Sequence, residues 1–402
     1  MKILFLAHLF PLPLDSGGKI KSYHTLKALA KRHEVFLLSY IRNEEERLHI
    51  SELQRVCPRV ELIPLKRSKL THASDIISNL TLGRSFIVNR DFRPEMLDAF
   101  QKVTAAFNPD VVHIDHLQMA QFVSRDGSYK TVLDHHNVES SIIQRMAQSS
   151  DNVLIRTYAR TEWPKLQRYE LEACQKCDLV ITVSEEDKTI LQDLDSAIKS
   201  IHSVPIGVDV DYFIPVERNT ESKNILSIGT MYWPPNVDSM LYFYHGILPL
   251  IKKSIPESTL TIAGQRPTPS IQALASDAEV SVTGYVSDVR SIARDCGVFI
   301  VPLRSGSGVR VKILNAMAMG LPVVSTSIGA EGLDIASGKH LLIADTPADF
   351  AKAVIDVLSN TDLAANLGTN ARDLVCEKYS WDVVGKRLLE LYNEKIARRL
   401  QV

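Results

Sequence analysis

Short, almost wholly apolar runs alternate with stretches of helical periodicity along this chain, and they do so in two series. The first series reads KILFLA (2–7), EVFLLSY (34–40), VELIPL (60–65), VVHID (111–115), KTVLDHH (130–136) and LVITVS (179–184). The second reads NILSIGT (224–230), STLTIAG (258–264), EVSVTG (279–284), VFIVPL (298–303), PVVSTS (322–327) and LLIAD (341–345). Strands apolar on both faces belong to parallel sheets covered by helices, and each series opens with a strand followed by a Gly-containing loop. The pattern predicts an α/β chain of two doubly wound, Rossmann-like domains. The polar stretch VERNTESKN (216–224) follows SVPIGVDVDYF and places the boundary near 205–222. The expected divisions are 1–205, 206–378 and a C-terminal helix over 379–402 that returns toward the N-terminal domain.

The second series contains the segment with most chemistry, VPLRSGSGVRVKILNAMAMGLPVVST (301–326). It predicts a strand over Val298–Pro302, a turn through Ser305, Gly306, Ser307 and Gly308, a helix over Val309–Met319 and a strand from Pro322. Free backbone N–H groups and the helix dipole favour an anion at such a turn. Arg310 and Lys312 add fixed positive charge, so the turn suits a phosphate or diphosphate. A plain connection is the competing reading.

A length of 402 residues fits two domains. The net charge of −1 gives no basic excess for nucleic acid. Five cysteines, an odd and low count, argue against a disulfide framework and for a reducing, cytoplasmic setting. Cys174 and Cys177 form a C-x-x-C inside a helical pattern with no second pair, and read as two helix cysteines. The N-terminal run is broken by His8 and prolines and reads as a buried strand, not a leader. No stretch approaches the ~18 apolar residues of a membrane span. A dinucleotide-binding oxidoreductase would show G-x-G-x-x-G after a strand, and neither series does.

Several motifs, in order, resemble the retaining family 4 glycosyltransferases of the GT-B fold. They are PLPLDSGGKIKSYHTLKALAKRHEV near the start, PDVVHIDH (109–116), LVITVSEEDK (179–188), VPIGVDVDYF, VTGYVSDV (282–289) and the 301–326 segment. LDHHNVES, MYWPPNVDSM and GAEGLD resemble the branch that serves polysaccharide or exopolysaccharide synthesis. The resemblance implies two Rossmann-like domains facing across a cleft. The nucleoside-diphosphate sugar is held mainly by the second domain, and a carbohydrate or lipid-linked acceptor comes from the first. It implies no cofactor beyond that substrate, no metal, and charge stabilisation of the leaving diphosphate by the protein.

Carried over residue by residue, the resemblance implies that Gly17 and Gly18 lie against donor phosphate or sugar. Gly284, Tyr285 and Val286 lie along the base, and Gly306, Ser307, Gly308, Val309, Arg310 and Lys312 hold the diphosphate. Lys19 and Lys21 either assist or are solvated helix charges. The family often has a His near the transferring sugar. Asp115 takes that place by spacing, His116 by chemistry, and His136 is a third candidate. His113 and Asp134 also lie at these strand ends. The family's two signature glutamates fall on Ser307 and Asn315, and the amide of Asn315 can still accept a hydrogen bond from ribose. Glu331 lies on the next loop. The Arg-Lys pair expected after the first strand of the second domain is replaced by GTMYWPPN.

The resulting expectation is a metal-independent, retaining sugar transferase in polysaccharide or glycolipid synthesis. The alternatives are a catalytically degenerate nucleotide-sugar-binding subunit and a nucleotide-sugar epimerase on the same architecture. In 64–95, Lys66, Arg67, Lys69, Arg84, Arg90 and Arg93 are interleaved with apolar residues. Such a face suits an anionic lipid surface, a peripheral contact at the inner face of the membrane, or simply an amphipathic helix packed on the sheet.

Overall fold

A computed structural model describes residues 1–65, 83, 85–124, 127–149, 152–198, 200–306 and 308–397. The chain divides into two compact units. Unit 1 comprises 1–205 and 384–402, and unit 2 comprises 206–383.

Unit 1 is built on seven strands: β1 (Lys2–Ala7), β2 (Glu34–Ile41), β3 (Arg59–Pro64), β4 (Val111–Asp115), β5 (Lys130–Asp134), β6 (Leu179–Thr182) and β7 (Ile201–Ser203). They pair in parallel in the order β3-β2-β1-β4-β5-β6-β7. β1, β4 and β5 are buried almost throughout, because helices cover both faces of a parallel sheet. The order reverses between β1 and β4, and ligands of open α/β sheets bind beyond the strand ends at such a point. The 14-residue helix Gly17–Ala30 follows β1 there.

Two buried glutamates on the long helix Val153–Lys176 hold neighbouring helix starts. Glu162 Oε1 accepts from Ser85 Oγ at 2.6 Å and Ile87 N at 3.2 Å. Glu170 accepts from Glu139 N at 2.8 Å and from Ser140 N at 3.2 Å, as well as from the Ser140 hydroxyl. These bonds satisfy N–H groups that no helical turn can. The last helix, Trp381–Tyr392, runs into unit 1, where Tyr392 is buried and donates to His113 Nδ1 at 2.6 Å.

Unit 2 carries β8 (Asn224–Ile228), β9 (Thr259–Ala263), β10 (Val280–Gly284), β11 (Val298–Val301), β12 (Val323–Ser325) and β13 (Leu342–Ile343). Their order is β10-β9-β8-β11-β12-β13, again parallel, with the reversal between β8 and β11. Its two apolar clusters flank this sheet; one centres on Phe243, Ile262 and Phe350, the other on Phe299, Leu314 and Met317. No helix among the described residues is long and apolar enough to cross a membrane.

Candidate functional site

In unit 2 the predicted anion turn lies beyond β11, beside the end of β8, at the point where the strand order reverses. Gly306 and Gly308 adopt φ of 116° and 81°, conformations that side-chain-bearing residues rarely take. The helix begins at Val311, two residues later than the sequence pattern suggests, and Arg310 precedes it with non-helical backbone, φ −87° and ψ 90°. Arg310 is buried, its guanidinium 6.0 Å from the Trp233 ring. A Cβ on Gly306 would lie 2.8 Å from that guanidinium, and the φ of 116° would strain any side-chain-bearing residue there.

Lys312 does not carry a fixed charge. Burial, and then the field of Arg310, push its ammonium down to about 7. Its Nζ donates to Asn236 Oδ1 at 3.1 Å, and Asn236 Nδ2 donates to Thr230 O at 3.1 Å. Gly229, at the end of β8, lets these groups approach: a Cβ there would lie 2.9 Å from Asn236 Nδ2 and 3.3 Å from Lys312 Nζ. The GTMYWPPN stretch thus lacks the family's cations but receives one from the Val311–Ala318 helix.

The other predicted residues of unit 2 lie as follows. Gly284 ends β10 with φ of 70°, and its carbonyl accepts from Gly264 N at 2.8 Å. Tyr285 is 75% exposed and Val286 partly so. Val309 is partly buried against the apolar cluster. Asn315 and Glu331 are each partly buried. Ser307 lies outside the described residues, as do Lys66, Arg67, Lys69 and Arg84 of the basic segment.

In unit 1 the strand ends assemble a histidine cluster. Asp115 pairs with Asp134 across β4 and β5, which sets His116 beside His136. Their rings stack with centroids 3.6 Å apart. Asp115 is fully buried and accepts from His116 Nδ1 at 3.0 Å, His136 Nε2 at 2.9 Å and Ser22 Oγ at 2.7 Å. Burial would raise its pKa, but the two imidazoles hold it well below the usual carboxylate range. An ionised carboxylate only accepts, so both imidazoles donate to it. That leaves His116 Nε2 and His136 Nδ1 as the ring nitrogens turned away from Asp115. Both face Gly18: a Cβ there would lie 3.5 Å from the first and 3.7 Å from the second. Burial, then His116, pushes His136 down to about 3, so it is neutral near pH 7. His116 has φ of 76°, a strained conformation for a non-glycine residue and one that recurs at functional sites.

Around this cluster, Lys21 is a buried cation bonded to Asp134 and to His135 O at 3.0 Å, not a solvated helix charge. Gly17 opens the helix in which Lys21 and Ser22 face the sheet. Lys19 is near Asp15 and Glu46, at 3.4 and 3.3 Å. His8 Nε2 lies 3.1 Å from Asp91 Oδ2, and burial pushes His8 down to about 4. Sequence reasoning missed Ser22 and His8, whose roles appear only once β1 and β4 are neighbours. It also found no spacing for a metal, whereas the fold brings the ligand atoms of Asp115, His116 and His136, and of His113, Asp115 and Asp134, within 4.8 Å of one another. Cys174 lies in a helix as expected, 3.2 Å from His135 Nε2, and both C-x-x-C cysteines are free thiols.

Comparison with known proteins agrees with the two sheets. The family model for Glycosyltransferase Family 4 matches residues 22–212, and that for Glycosyl transferases group 1 matches 222–360. A 44.6 kDa protein in the cps region of Klebsiella pneumoniae is 23% identical over 94% of this chain and 96% of its own. A phosphatidyl-myo-inositol mannosyltransferase of Mycobacterium tuberculosis is 27% identical over 47% of this chain and 53% of its own. Among solved structures, HepE of Anabaena in complex with UDP superposes with a TM-score of 0.70 at 13% identity, covering 98% of this chain and 100% of that one. The sucrose-phosphate synthase of Thermosynechococcus elongatus gives 0.72 at 16% identity, covering 99% and 100%. The chain, with its two doubly wound units, is a GT-B protein and belongs to the family 4 glycosyltransferases.

Proposed function

We propose that this glycosyltransferase moves a sugar from a nucleoside diphosphate to an acceptor hydroxyl with retention at the anomeric carbon. The leading observation is the turn at the reversal point of unit 2. Its left-handed glycines, the buried Arg310 and the inward Lys312 form a diphosphate-sized site. The structures of HepE with UDP and with UDP-glucose support the same class of donor. Gly284, Tyr285 and Val286 take the base, and Asn315 and Glu331 the ribose or sugar. Arg310 and Lys312 stabilise the charge that develops on the departing diphosphate.

His116 and His136 act on the sugar side. With His136 Nδ1 and His116 Nε2 turned toward Gly18, the pair hydrogen-bonds sugar hydroxyl groups, the neutral His136 as an acceptor. Asp115 touches only the imidazoles and Ser22, so it is a positioning residue that fixes both tautomers. The acceptor attacks from the leaving-group face, and the departing phosphate oxygen takes its proton. The resemblance to the cps-region protein and to the phosphatidylinositol mannosyltransferase supports a place in polysaccharide or glycolipid synthesis, with a carbohydrate or lipid-linked acceptor.

The test is a panel of UDP-, GDP- and ADP-sugars, followed by NMR of the sugar released or transferred. One donor is expected to turn over and to give a product of the donor's own anomeric configuration. An inverted product would overturn retention. A donor that raises the melting temperature yet never turns over would leave a nucleotide-sugar-binding protein.

A further inference from the structure

Asn236 sits at a junction that the donor site does not obviously need. It is buried in the first turn of the helix Pro234–Tyr242, 76 residues before Lys312, and its amide is held at both ends. One end donates to Thr230 O, and the other accepts the Lys312 ammonium. The side chain cannot rotate without losing both bonds. Gly229 presses on the pair from the end of β8.

The chemistry of the acceptor is the informative part. A buried or partly buried ammonium is ordinarily matched by a carboxylate. Here the matching group is a neutral amide. The acid nearby in the same helix, Asp238, is engaged elsewhere: it accepts from Arg304 Nε at 3.0 Å. The charged group whose field reaches Lys312 is Arg310, also a cation. Two cations therefore share this corner of unit 2, and among the described residues what Lys312 receives is a fixed dipole instead of a countercharge.

We propose that Asn236 is a positioning residue that holds Lys312 in place without neutralising it, so that the countercharge is supplied by the donor diphosphate. The inference rests on the reading of the Gly306–Lys312 turn as the diphosphate site. Burial and Arg310 push Lys312 down to about 7. Between about pH 7 and 9 a diphosphate then binds with uptake of a proton by Lys312. Affinity falls as pH rises through that window, because the lysine must be charged in the complex and is neutral without it.

Asn236→Asp separates this role from a structural one. Aspartate has the same shape and still accepts from Lys312, but it supplies the countercharge itself and opposes the diphosphate. Calorimetric titration with UDP, GDP and inorganic pyrophosphate at pH 7, 8 and 9 reads the effect. The wild type is expected to bind at least one of the three and to weaken with pH. Asn236→Asp is expected to bind that ligand roughly 10-fold or more weakly at pH 7, with a flattened pH response and an unchanged or raised melting temperature. Asn236→Ala, which frees the ammonium but adds no charge, is expected to bind several-fold more weakly while keeping the pH response. If Asn236→Asp does not fold, Asn236→Ala decides by the same affinity. Wild-type affinity and pH response in the folded variant would overturn the role of Asn236 and leave the donor site standing. Failure of the wild type to bind any of the three would overturn the donor site and this inference with it.

Discussion

Asp115 orients two histidines at once, and Gly18 marks where their other ring nitrogens converge. This makes Gly18→Ala a selective probe. A Cβ there meets only the Leu9 Cδ1 methyl closely, at 3.0 Å, and lies in ordinary contact with the imidazoles. In a helix, alanine is also favoured over glycine by up to about 1 kcal/mol. The variant is expected to melt at or above the wild-type temperature and to lose turnover by at least roughly 10-fold, since the methyl occupies the approach to both nitrogens. Full activity in a folded variant would remove the His116–His136 pair from the sugar site. Arg310→Ala is expected to weaken nucleoside-diphosphate binding by about 1.5–3 kcal/mol, the cost of a lost charge-assisted bond. Calorimetry beside thermal melting checks it; a drop in melting temperature with affinity intact would make Arg310 a packing residue. What the sequence reveals at this scale is local. Glycines, arginine and lysine within seven residues spell out the anion turn. The Lys312–Asn236 bond does not show, because nothing in either segment states that the β8 loop will meet that helix. Lys21 stays open between an assisting and a solvated charge for a related reason: the Gly17–Ala30 helix buries Lys21, Ser22 and Thr25 along with Leu26 and Leu29, so no clean apolar stripe distinguishes its inner face.

Among the elements, the strands were the easiest to foresee where they are short apolar runs bounded by turn residues; β7, the three-residue edge strand Ile201–Ser203 with a central histidine, was not foreseen. Helix limits were less legible. The Val311–Ala318 helix starts late because Gly308 is left-handed and Arg310 non-helical, and neither conformation is written in the apolar spacing. Tertiary capping was invisible. Glu170 caps the Glu139–Ser149 helix from a different helix, and burial, opposed by the Ser140 hydroxyl and reinforced by Glu139, raises it to about 8. Its usual value lies near 4.3. In the window between these values the unfolded chain has lost the proton that the fold retains, so unfolding releases a proton and stability falls as pH rises from about 4.3 to 8. Glu170→Gln can still accept but cannot titrate. The difference in unfolding free energy between wild type and variant is expected to shift toward the variant across pH 5 to 9, by a few kcal/mol at ~1.4 kcal/mol per pH unit, and melting curves over that range read it. Parallel melting curves would show that Glu170 ionises normally in the fold.

At the level of the whole molecule, the two-domain division was legible because each series of strands opens in the same way. The contribution of the C-terminal segment to unit 1 has a physical basis in Tyr392, whose hydroxyl donates to the buried His113 while His113 Nε2 lies 3.6 Å from Asp134. Tyr392→Phe is expected to cost about 1–3 kcal/mol, since it leaves a buried nitrogen without its donor. Thermal melting that resolves unit 1 from unit 2 checks this; an unchanged unit 1 transition would show that the hydroxyl is dispensable. The interleaving of the units also has a consequence for the order of events during synthesis. Unit 2 is one uninterrupted stretch, 206–383, whereas unit 1 needs 384–402 to be complete. A ribosome working from the N-terminus makes most of unit 1 first but supplies its closing helix last. The earlier-made half therefore waits, without the Tyr392 partner of β4, until 384–402 has emerged, and the later-made half is the first that can finish folding.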